Sequence, residues 1–318
     1  MPNMYQQRQR GFIFAILAAV LFSLKTIFIK KAYLYGVDTI TFLTLRMAFA
    51  SPFYALVLAT ATKSKTDAPR SPFVYIKVAG LGLCSYYLAS ILDLEGLHHI
   101  SANLERMILY VYPTIVVALG AVFLRRSITG RQALAIGISY FGVVLVFFED
   151  LSLTSHSSTL PLVGNPLTPM VYGAGCVVLS AIAYAVFVVF SEGSILQIGA
   201  KRFTALAMLS AAAGIAVHFS LSPSHSLVLL LNQTRAVYGY GLVVAFMCTV
   251  VPSFMLVSAI GTIGASNTGV VGMSGPVFTL LVAAITLDEP ITPYHILGMT
   301  LILGSIFMLR RARKNSAE

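Results

Sequence analysis

The sequence predicts an all-α integral membrane protein with ten transmembrane helices arranged as two inverted five-helix repeats. Three observations predict this fold class. The composition is that of a chain surrounded mostly by lipid, ten apolar stretches are long enough to cross a bilayer, and the two halves of the chain share a sequence register. The same observations exclude a water-soluble globular domain.

Composition decides the environment of the chain. Its 318 residues are 58% hydrophobic and only 10% charged, with a mean hydropathy of +0.87, whereas soluble domains are about 25% charged. The net charge of +10 would suit a nucleic-acid partner, but the basic residues fall in short connections between apolar stretches, where they set membrane orientation. We therefore expect a lipid bilayer and no nucleic acid. The three cysteines all lie in apolar runs, which indicates packing rather than a disulfide or metal site.

Ten stretches approach the roughly 20 apolar residues that a spanning helix needs. The first follows two arginines and lacks a small-residue cleavage site, so we interpret it as a retained span rather than a signal peptide. The predicted spans are 11–30, 39–60, 73–92, 100–124, 131–148, 169–191, 203–221, 237–259, 264–287 and 294–310.

Lysine and arginine placement predicts the orientation. With the N-terminus in the cytoplasm, fifteen basic residues fall on the inside and three on the outside, a bias that sets topology. Both termini are then cytoplasmic, and we expect the protein to reside in the inner or plasma membrane. The inside set is Arg8, Arg10, Lys63, Lys65, Arg70, Lys77, Arg125, Arg126, Arg131, Lys201, Arg202, Arg310, Arg311, Arg313 and Lys314; the outside set is Lys30, Lys31 and Arg235.

An internal duplication divides the chain into halves. Aligning Pro113 with Pro276 gives an offset of 163 residues, and at that offset Ile128-Thr129 meets Ile291-Thr292 and Leu134 meets Leu297 without a gap. Because each half has an odd number of spans, the second must insert in the opposite sense, as in many secondary transporters. The predicted organisation is a cytoplasmic segment at 1–10, repeats at 11–148 and 169–310, an extracytoplasmic linker at 149–168 and a basic cytoplasmic tail at 311–318.

Five charged residues lie inside or at the edge of the apolar stretches. Lys25, Arg46, Asp93, Glu105 and Arg106 each fall about 0–11 Å below the predicted outer interface. A charge at the bilayer centre costs roughly 2.5–3.5 kcal/mol on insertion scales, so such residues usually face a wet cavity or one another. We predict that they line an outward-opening substrate pathway for an anionic or zwitterionic solute, together with Tyr110, which lies beside Pro113.

Each of these residues also has a purely structural interpretation. Lys25 can extend its long stem to the interface, and Arg46 can form a structural pair with Glu105 or Asp93. Side chains of adjacent helical residues diverge by about 100°, so we expect Glu105 and Arg106 to address different partners. Glu105 is a doubtful proton carrier because an arginine beside it lowers its proton affinity.

Pro113 and Pro276 each remove a backbone donor in mid-span and predict a kink. The kinks can gate the pathway or be permanent bends. The ninth predicted span is rich in small residues. His98 and His99 are predicted to lie on a short outer loop, where too few further ligands are present to bind a metal ion.

Several of these motifs resemble the EamA-type repeat of the drug/metabolite transporter superfamily. They are Ser101-Ala102 at the entry to span four, the mid-span Pro113 and Pro276, Arg46 in span two, and Glu289 in the turn LDEPIT. The resemblance covers essentially the whole chain and implies ten spans in two inverted halves, with export or import of metabolites. The chain departs from the family pattern at Arg125-Arg126, where an acidic turn is expected, and at Lys25.

The predicted function is secondary transport, in the export direction, of a small polar metabolite by alternating access. The alternative is an intramembrane enzyme acting on a lipid-linked substrate. We predict no enzyme activity and no cofactor, since no nucleotide-binding loop, H-E-x-x-H or G-x-S-x-G motif is present. The sequence leaves two questions open. Transport can be coupled to protons or have no coupling ion, and the protein can be a monomer or a homodimer.

Overall fold

A computed structural model describes residues 4–60, 72–124, 128–156, 167–272 and 274–315, and every regular element in those ranges is helical. The helices are α1 Met4–Tyr33, α2 Thr39–Thr60, α3 Pro72–Gly82, α4 Ser90–His99, α5 Ala102–Leu109, α6 Tyr112–Leu124, α7 Gly130–His156, α8 Leu167–Ile198, α9 Ala200–Leu221, α10 Leu227–Leu231, α11 Arg235–Ala245, α12 Val251–Gly272, α13 Gly275–Thr286 and α14 Pro293–Asn315. π-helical turns at Leu83–Ala89 and Phe246–Val250 join α3 to α4 and α11 to α12.

Eight helices in the described ranges are long and apolar enough to cross a membrane. They correspond to the first eight predicted spans. At the last two predicted spans the apolar helical segments, residues 275–286 and 293–309, are shorter than these eight. Part of the predicted ninth span instead belongs to α12, which runs unbroken from Val251 to Gly272 across the predicted boundary at 259–264. The predicted ten-helix count therefore exceeds the number of full-length candidate spans.

The two π-helical turns occupy equivalent positions in the two halves. Their first residues, Leu83 and Phe246, are separated by the same 163 residues that align Pro113 with Pro276. A π-helical turn inserts one residue into the α-helical ladder, and such turns are frequent at functional sites.

The two aligned prolines also occupy equivalent positions, but each opens a new helix rather than kinking a continuous one. Pro113 is the second residue of α6 and Pro276 is the second residue of α13. Proline fits the first turn of a helix because its missing N–H would have no partner there. Before Pro113 the chain tightens, with the Val111 N–H donating to the Ile108 carbonyl at 3.0 Å. The predicted kinks are therefore helix breaks.

The described chain forms two compact units, residues 1–91 with 190–278 and residues 92–189 with 279–318. In the first unit α1 packs on α11 and α12, and α9 packs on α2 and α3. Gly82 allows the close approach of α3 to α9, since a β-carbon there would collide with the Ala207 carbonyl oxygen.

In the second unit α7 and α14 pack along one another, and the start of α5 lies against both. A glycine on each long helix permits this approach: a β-carbon at Gly142 would lie 2.9 Å from the carbonyl oxygen of Gly298. A small apolar core forms where the start of α6 and the residue before it meet α8, with Val111 and Ile115 against Ala181 and Ala185.

The predicted end of the third span differs from the structure. The helical stretch that begins with α3 continues through α4 to His99, seven residues beyond the predicted end at 92, so Asp93, His98 and His99 are helical rather than terminal or in a loop. Several predicted features fall outside the described residues, namely the basic residues Lys63, Lys65, Arg70, Arg125 and Arg126, and most of the second half of the predicted linker.

Candidate functional site

Arg46 is a buried cation of the first unit. It lies in the first half of α2, about two turns from the helix start, and is 4% exposed. Its Nη2 donates a hydrogen bond to Ser90 Oγ at 3.3 Å. Ser90 is the first residue after the π-helical turn Leu83–Ala89. Because a π-helical turn contains one extra residue, it rotates the start of α4 and so places Ser90 beside the Arg46 guanidinium.

Two further polar groups belong to the same unit. Lys25 is half-buried on α1. Tyr54 is buried two helical turns from Arg46 on α2, and its hydroxyl lies 3.3 Å from Ser253 Oγ, just after the second π-helical turn. Both π-helical turns thus precede a serine that contacts a polar side chain of α2.

Three predicted site residues are buried in the second unit. Asp93 is 4% exposed, Glu105 is fully buried and Arg106 is 8% exposed. Arg106 Nε lies 3.7 Å from Glu105 Oε2, so these sequence neighbours pair with each other. The expectation that the two residues address different partners stays a prediction, to which the structure adds this contact between them.

The start of α5 is capped from two directions. Ser101 Oγ accepts from the Leu104 N–H at 2.9 Å, as a helix N-cap does. The Glu289 carboxylate accepts from the N–H groups of Ala102 at 2.8 Å and Asn103 at 3.2 Å. Asp288, in the left-handed region at φ 55°, turns the chain after α13 and brings Glu289 to this position. The cap fixes the helix that carries Glu105 and Arg106.

Tyr110 lies at the end of α5, where the helix breaks before Pro113. Its neighbour Tyr112 begins α6 and packs edge-on against Tyr184, with ring centroids 5.0 Å apart. The break thus separates a charged, capped helix from an apolar one.

A buried network that the sequence interpretation missed joins three helices of this unit. His295 on α14 is 1% exposed, and its Nε2 lies 2.8 Å from Asp150 Oδ1 on α7. The other carboxylate oxygen of Asp150 accepts from Ser101 Oγ. Asp150 and His295 are 145 residues apart in sequence, so no local spacing brings them together.

A second aspartate–histidine contact lies in the connections of the first unit. Asp38 Oδ1 is 2.9 Å from His225 Nε2 and also accepts from the Thr41 N–H at 2.9 Å. Burial raises the pKa of Asp38, but hydrogen bonds from Thr41 and His225, with the charge of His225, outweigh it and hold that pKa below its usual value.

The predicted site residues therefore fall into two groups. Lys25 and Arg46 belong to the first unit, and Asp93, Glu105, Arg106 and Tyr110 to the second. In the structure Arg46, Asp93, Glu105 and Arg106 are buried. That all five charges line one pathway stays a prediction.

Comparison with known proteins decides the family. The model of the EamA-like transporter family matches this sequence twice, at residues 9–148 and again at 171–311. The chain belongs to the EamA-like transporter family. It is therefore a multi-pass membrane transporter of the drug/metabolite transporter superfamily, and membership indicates a transporter rather than an enzyme.

Two relatives of this EamA-like transporter are similar along nearly their whole length. An uncharacterized transporter of Bacillus subtilis (strain 168), YcbK, is 27% identical over 300 residues, which cover 94% of this chain and 91% of that protein. An uncharacterized transporter of Archaeoglobus fulgidus is 24% identical over 271 residues, covering 85% and 88% of the two chains. Neither name states a solute.

One solved crystal structure, described only as that of a protein, has the same fold. It superposes with a TM-score of 0.61 over 97% of this chain and 99% of its own, at 12% sequence identity. At that identity the likeness concerns the fold alone.

The described residues of the EamA-like transporter offer buried ionic and hydrogen-bonding groups. Across the described ranges, no group of three or more histidine, cysteine, aspartate or glutamate side chains is arranged to hold a metal ion. Buried carboxylates, guanidinium groups and a histidine remain, which suit the binding of charged solutes and protons.

Proposed function

We propose that this EamA-like transporter is a secondary transporter that exports a small polar metabolite by alternating access between two inverted repeats. It resides in the plasma membrane, crosses it ten times and keeps both termini in the cytoplasm. The short helix α13 and the apolar part of α14, residues 293–309, take part as components of the last two spans.

One observation carries the proposal: the irregularities of the helices repeat at the sequence offset of the two halves. A π-helical turn begins at Leu83 and again at Phe246, and a helix break precedes Pro113 and again Pro276. Broken helices at corresponding positions of two repeats are typical of secondary transporters, whose solute site lies at the repeat interface. A broken helix can re-form its end contacts differently in two states, which alternating access requires.

The charged residues support a solute with at least one anionic group. Lys25, Arg46 and Arg106 outnumber Asp93 and Glu105, and the second half has no charge at the equivalent positions. Arg46 is the group we assign to a solute carboxylate, since a guanidinium binds that group with two parallel hydrogen bonds.

Metabolite profiling of cells tests the proposal. Growth medium of cells that overproduce the protein is compared with that of cells lacking it, and each enriched compound is then measured leaving liposomes that contain the purified protein. We expect one or a few small, carboxylate-bearing compounds to accumulate outside.

Matched arginine variants connect the flux to the site. Arg46→Gln should lower efflux by about tenfold or more, since a lost charged hydrogen bond costs roughly 1.5–3 kcal/mol. Arg235→Gln, at an exposed helix start, should leave efflux within about twofold, as surface changes generally do. If no compound differs between the two cell types, the transport proposal fails; if only uncharged compounds differ, the assignment of Arg46 fails.

A further inference from the structure

The buried contact between His295 and Asp150 lies at a position that both repeats use for the same structural purpose. Thr292 precedes α14, its Oγ1 accepts from the His295 N–H at 3.4 Å, and its own N–H donates to His295 Nδ1 at 3.3 Å. This reciprocal pair is a capping box, in which residue N3 usually is Glu or Gln.

The first repeat has the ordinary version of this cap. Before α7, the Thr129 N–H donates to Gln132 Oε1 at 2.9 Å, and the Gln132 N–H donates to Thr129 Oγ1 at 3.4 Å. Thr129 and Gln132 align with Thr292 and His295 at the repeat offset of 163. Capping therefore does not require a histidine here, and what the histidine adds is a group that can take up a proton.

The hydrogen bonds of the contact fit a singly protonated imidazole. In the tautomer that accepts from the Thr292 N–H at Nδ1, the ring proton lies on Nε2 and is donated to Asp150 Oδ1. Asp150 also accepts from Ser101 Oγ and is 7% exposed. His295 and Asp150 are therefore a buried pair of titratable groups joined by one hydrogen bond, in which Nδ1 is the atom that can take up a further proton.

Nδ1 of His295 is the atom that would bind the additional proton. Protonated Nδ1 then donates to Thr292 Oγ1, 2.8 Å away, and the capping bond from the Thr292 N–H is given up. The imidazolium and the carboxylate become a neutral ion pair, while the first turn of α14 loses one of its two capping bonds.

The charged and titratable surroundings of this contact come from the elements packed on α14. They include Asp150 and Glu149 on α7, Glu105 and Arg106 on α5, Tyr112 on α6 and Tyr294 on α14, with Asp288 and Glu289 in the connection before α14; further along, α7 carries Arg131 and Tyr140 and the end of α14 carries Arg310, Arg311, Arg313 and Lys314. Glu289 is neutralised in part by the start of α5, whose N–H groups it accepts from.

We propose that His295 and Asp150 form the proton-binding site through which this protein couples solute movement to a proton gradient. The inference rests on the proposed transport function. His295 is 1% exposed, so a proton exchanges only when α14 moves relative to α7. Proton exchange and conformational change are thereby linked, as a coupled transporter requires.

A titration that needs no solute tests the site. The full chain, labelled with 15N at histidine and placed in lipid nanodiscs, is followed by NMR as the pH falls from 8 to 5, the range in which histidine ordinarily changes charge. His295→Gln identifies the His295 signals and keeps the cap, as Gln132 does in the first repeat. We expect His295 to gain a second proton on Nδ1, and Asp150→Asn to weaken that proton binding by about tenfold or more.

The titration has clear contrary results. If His295 keeps one protonation state throughout, or if Asp150→Asn leaves its titration unmoved, the proposed site is wrong. These outcomes say nothing against solute transport, so they separate this inference from the proposed function.

Flux measurements test the coupling. The compound released by overproducing cells is measured leaving proteoliposomes with and without an imposed pH gradient. We expect the gradient to change efflux several-fold for the normal protein and to have no effect for His295→Gln. His225→Gln is the matched control, because it removes the other aspartate–histidine contact, and it should keep the response. An unchanged response of His295→Gln overturns the coupling role, whereas the absence of any solute flux from the normal protein overturns the proposed function.

Discussion

At the scale of single residues, the contact between Asp38 and His225 makes stability depend on pH. Asp38→Asn retains an oxygen for the Thr41 N–H but removes the charge that faces His225. We expect a loss of about 1 kcal/mol at pH 7, since the Asp38 side chain is 45% exposed and water weakens the contact. Thermal unfolding of the purified protein measures the loss.

The sign of the pH effect follows from the lowered pKa of Asp38. A carboxyl whose pKa is lower in the folded than in the unfolded protein stabilises the fold above the unfolded value, near 3.8, and loses that effect as the pH falls through the folded value. The difference between Asp38→Asn and the normal protein should therefore shrink as the pH is lowered from 5 towards 2. A difference that stays constant over this range would contradict the assignment.

Glu289 provides a second test at this scale. Glu289→Ala removes the acceptor for the first two N–H groups of α5, and we expect a loss of about 2 kcal/mol in the free energy of unfolding. Glu289→Gln keeps one acceptor and loses the charge near the helix start, so it should lose only about half as much. Chemical denaturation in detergent measures both. Equal effects of the two variants would show that capping geometry does not matter here.

The residues that sequence reasoning could identify were those whose chemistry conflicts with their surroundings. Arg46, Asp93, Glu105 and Arg106 are charged within apolar stretches, and the structure buries all four. Asp150 and His295 escaped because their contact joins residues 145 apart. A signal for His295 was present nonetheless, since it aligns with Gln132 three residues after a repeated threonine.

At the scale of elements, the packing of α3 on α9 depends on a glycine whose neighbour in the same helix offers a control. A β-carbon at Gly82 meets the Ala207 carbonyl, whereas a β-carbon at Gly80 meets nothing within 4 Å. Gly82→Ala should force the helices apart and destabilise the protein by about 1–3 kcal/mol. Gly80→Ala should stabilise it by up to about 1 kcal/mol, because alanine favours the helix.

Thermal unfolding of the two glycine variants, prepared in the same detergent, compares these effects. A drop in melting temperature for Gly80→Ala as large as that for Gly82→Ala would mean that the close approach of α3 and α9 is not what Gly82 permits.

Helix irregularities were predictable only where a residue type causes them. Pro113 and Pro276 signalled their breaks, since proline removes a donor. The π-helical turns at Leu83–Ala89 and Phe246–Val250 contain no proline or glycine, and an inserted residue leaves no trace in hydrophobicity when all sides of a span are apolar. For the same reason hydropathy placed a boundary at 259–264, where α12 is continuous.

At the scale of the whole molecule, the lipid environment and the internal duplication could be predicted from the sequence, because many residues contribute to each signal. The EamA-like family model matches the chain twice, at 9–148 and at 171–311, which agrees with the duplication seen in the sequence. The opposite insertion of the halves stays a prediction, which depends on the predicted odd number of spans in each half and on the predicted inside excess of basic residues.

Site-directed labelling at a pair of equivalent positions tests the inverted insertion most directly. Gly130 and Pro293 are both exposed, both begin a helix, and are 163 residues apart. Each is changed to cysteine after Cys84, Cys176 and Cys248 have been replaced, and intact cells are treated with a membrane-impermeant maleimide. We predict that the cysteine at position 293 reacts from outside and that the one at position 130 reacts only after the membrane is opened. Reaction of both from the same side would contradict two repeats inserted in opposite senses.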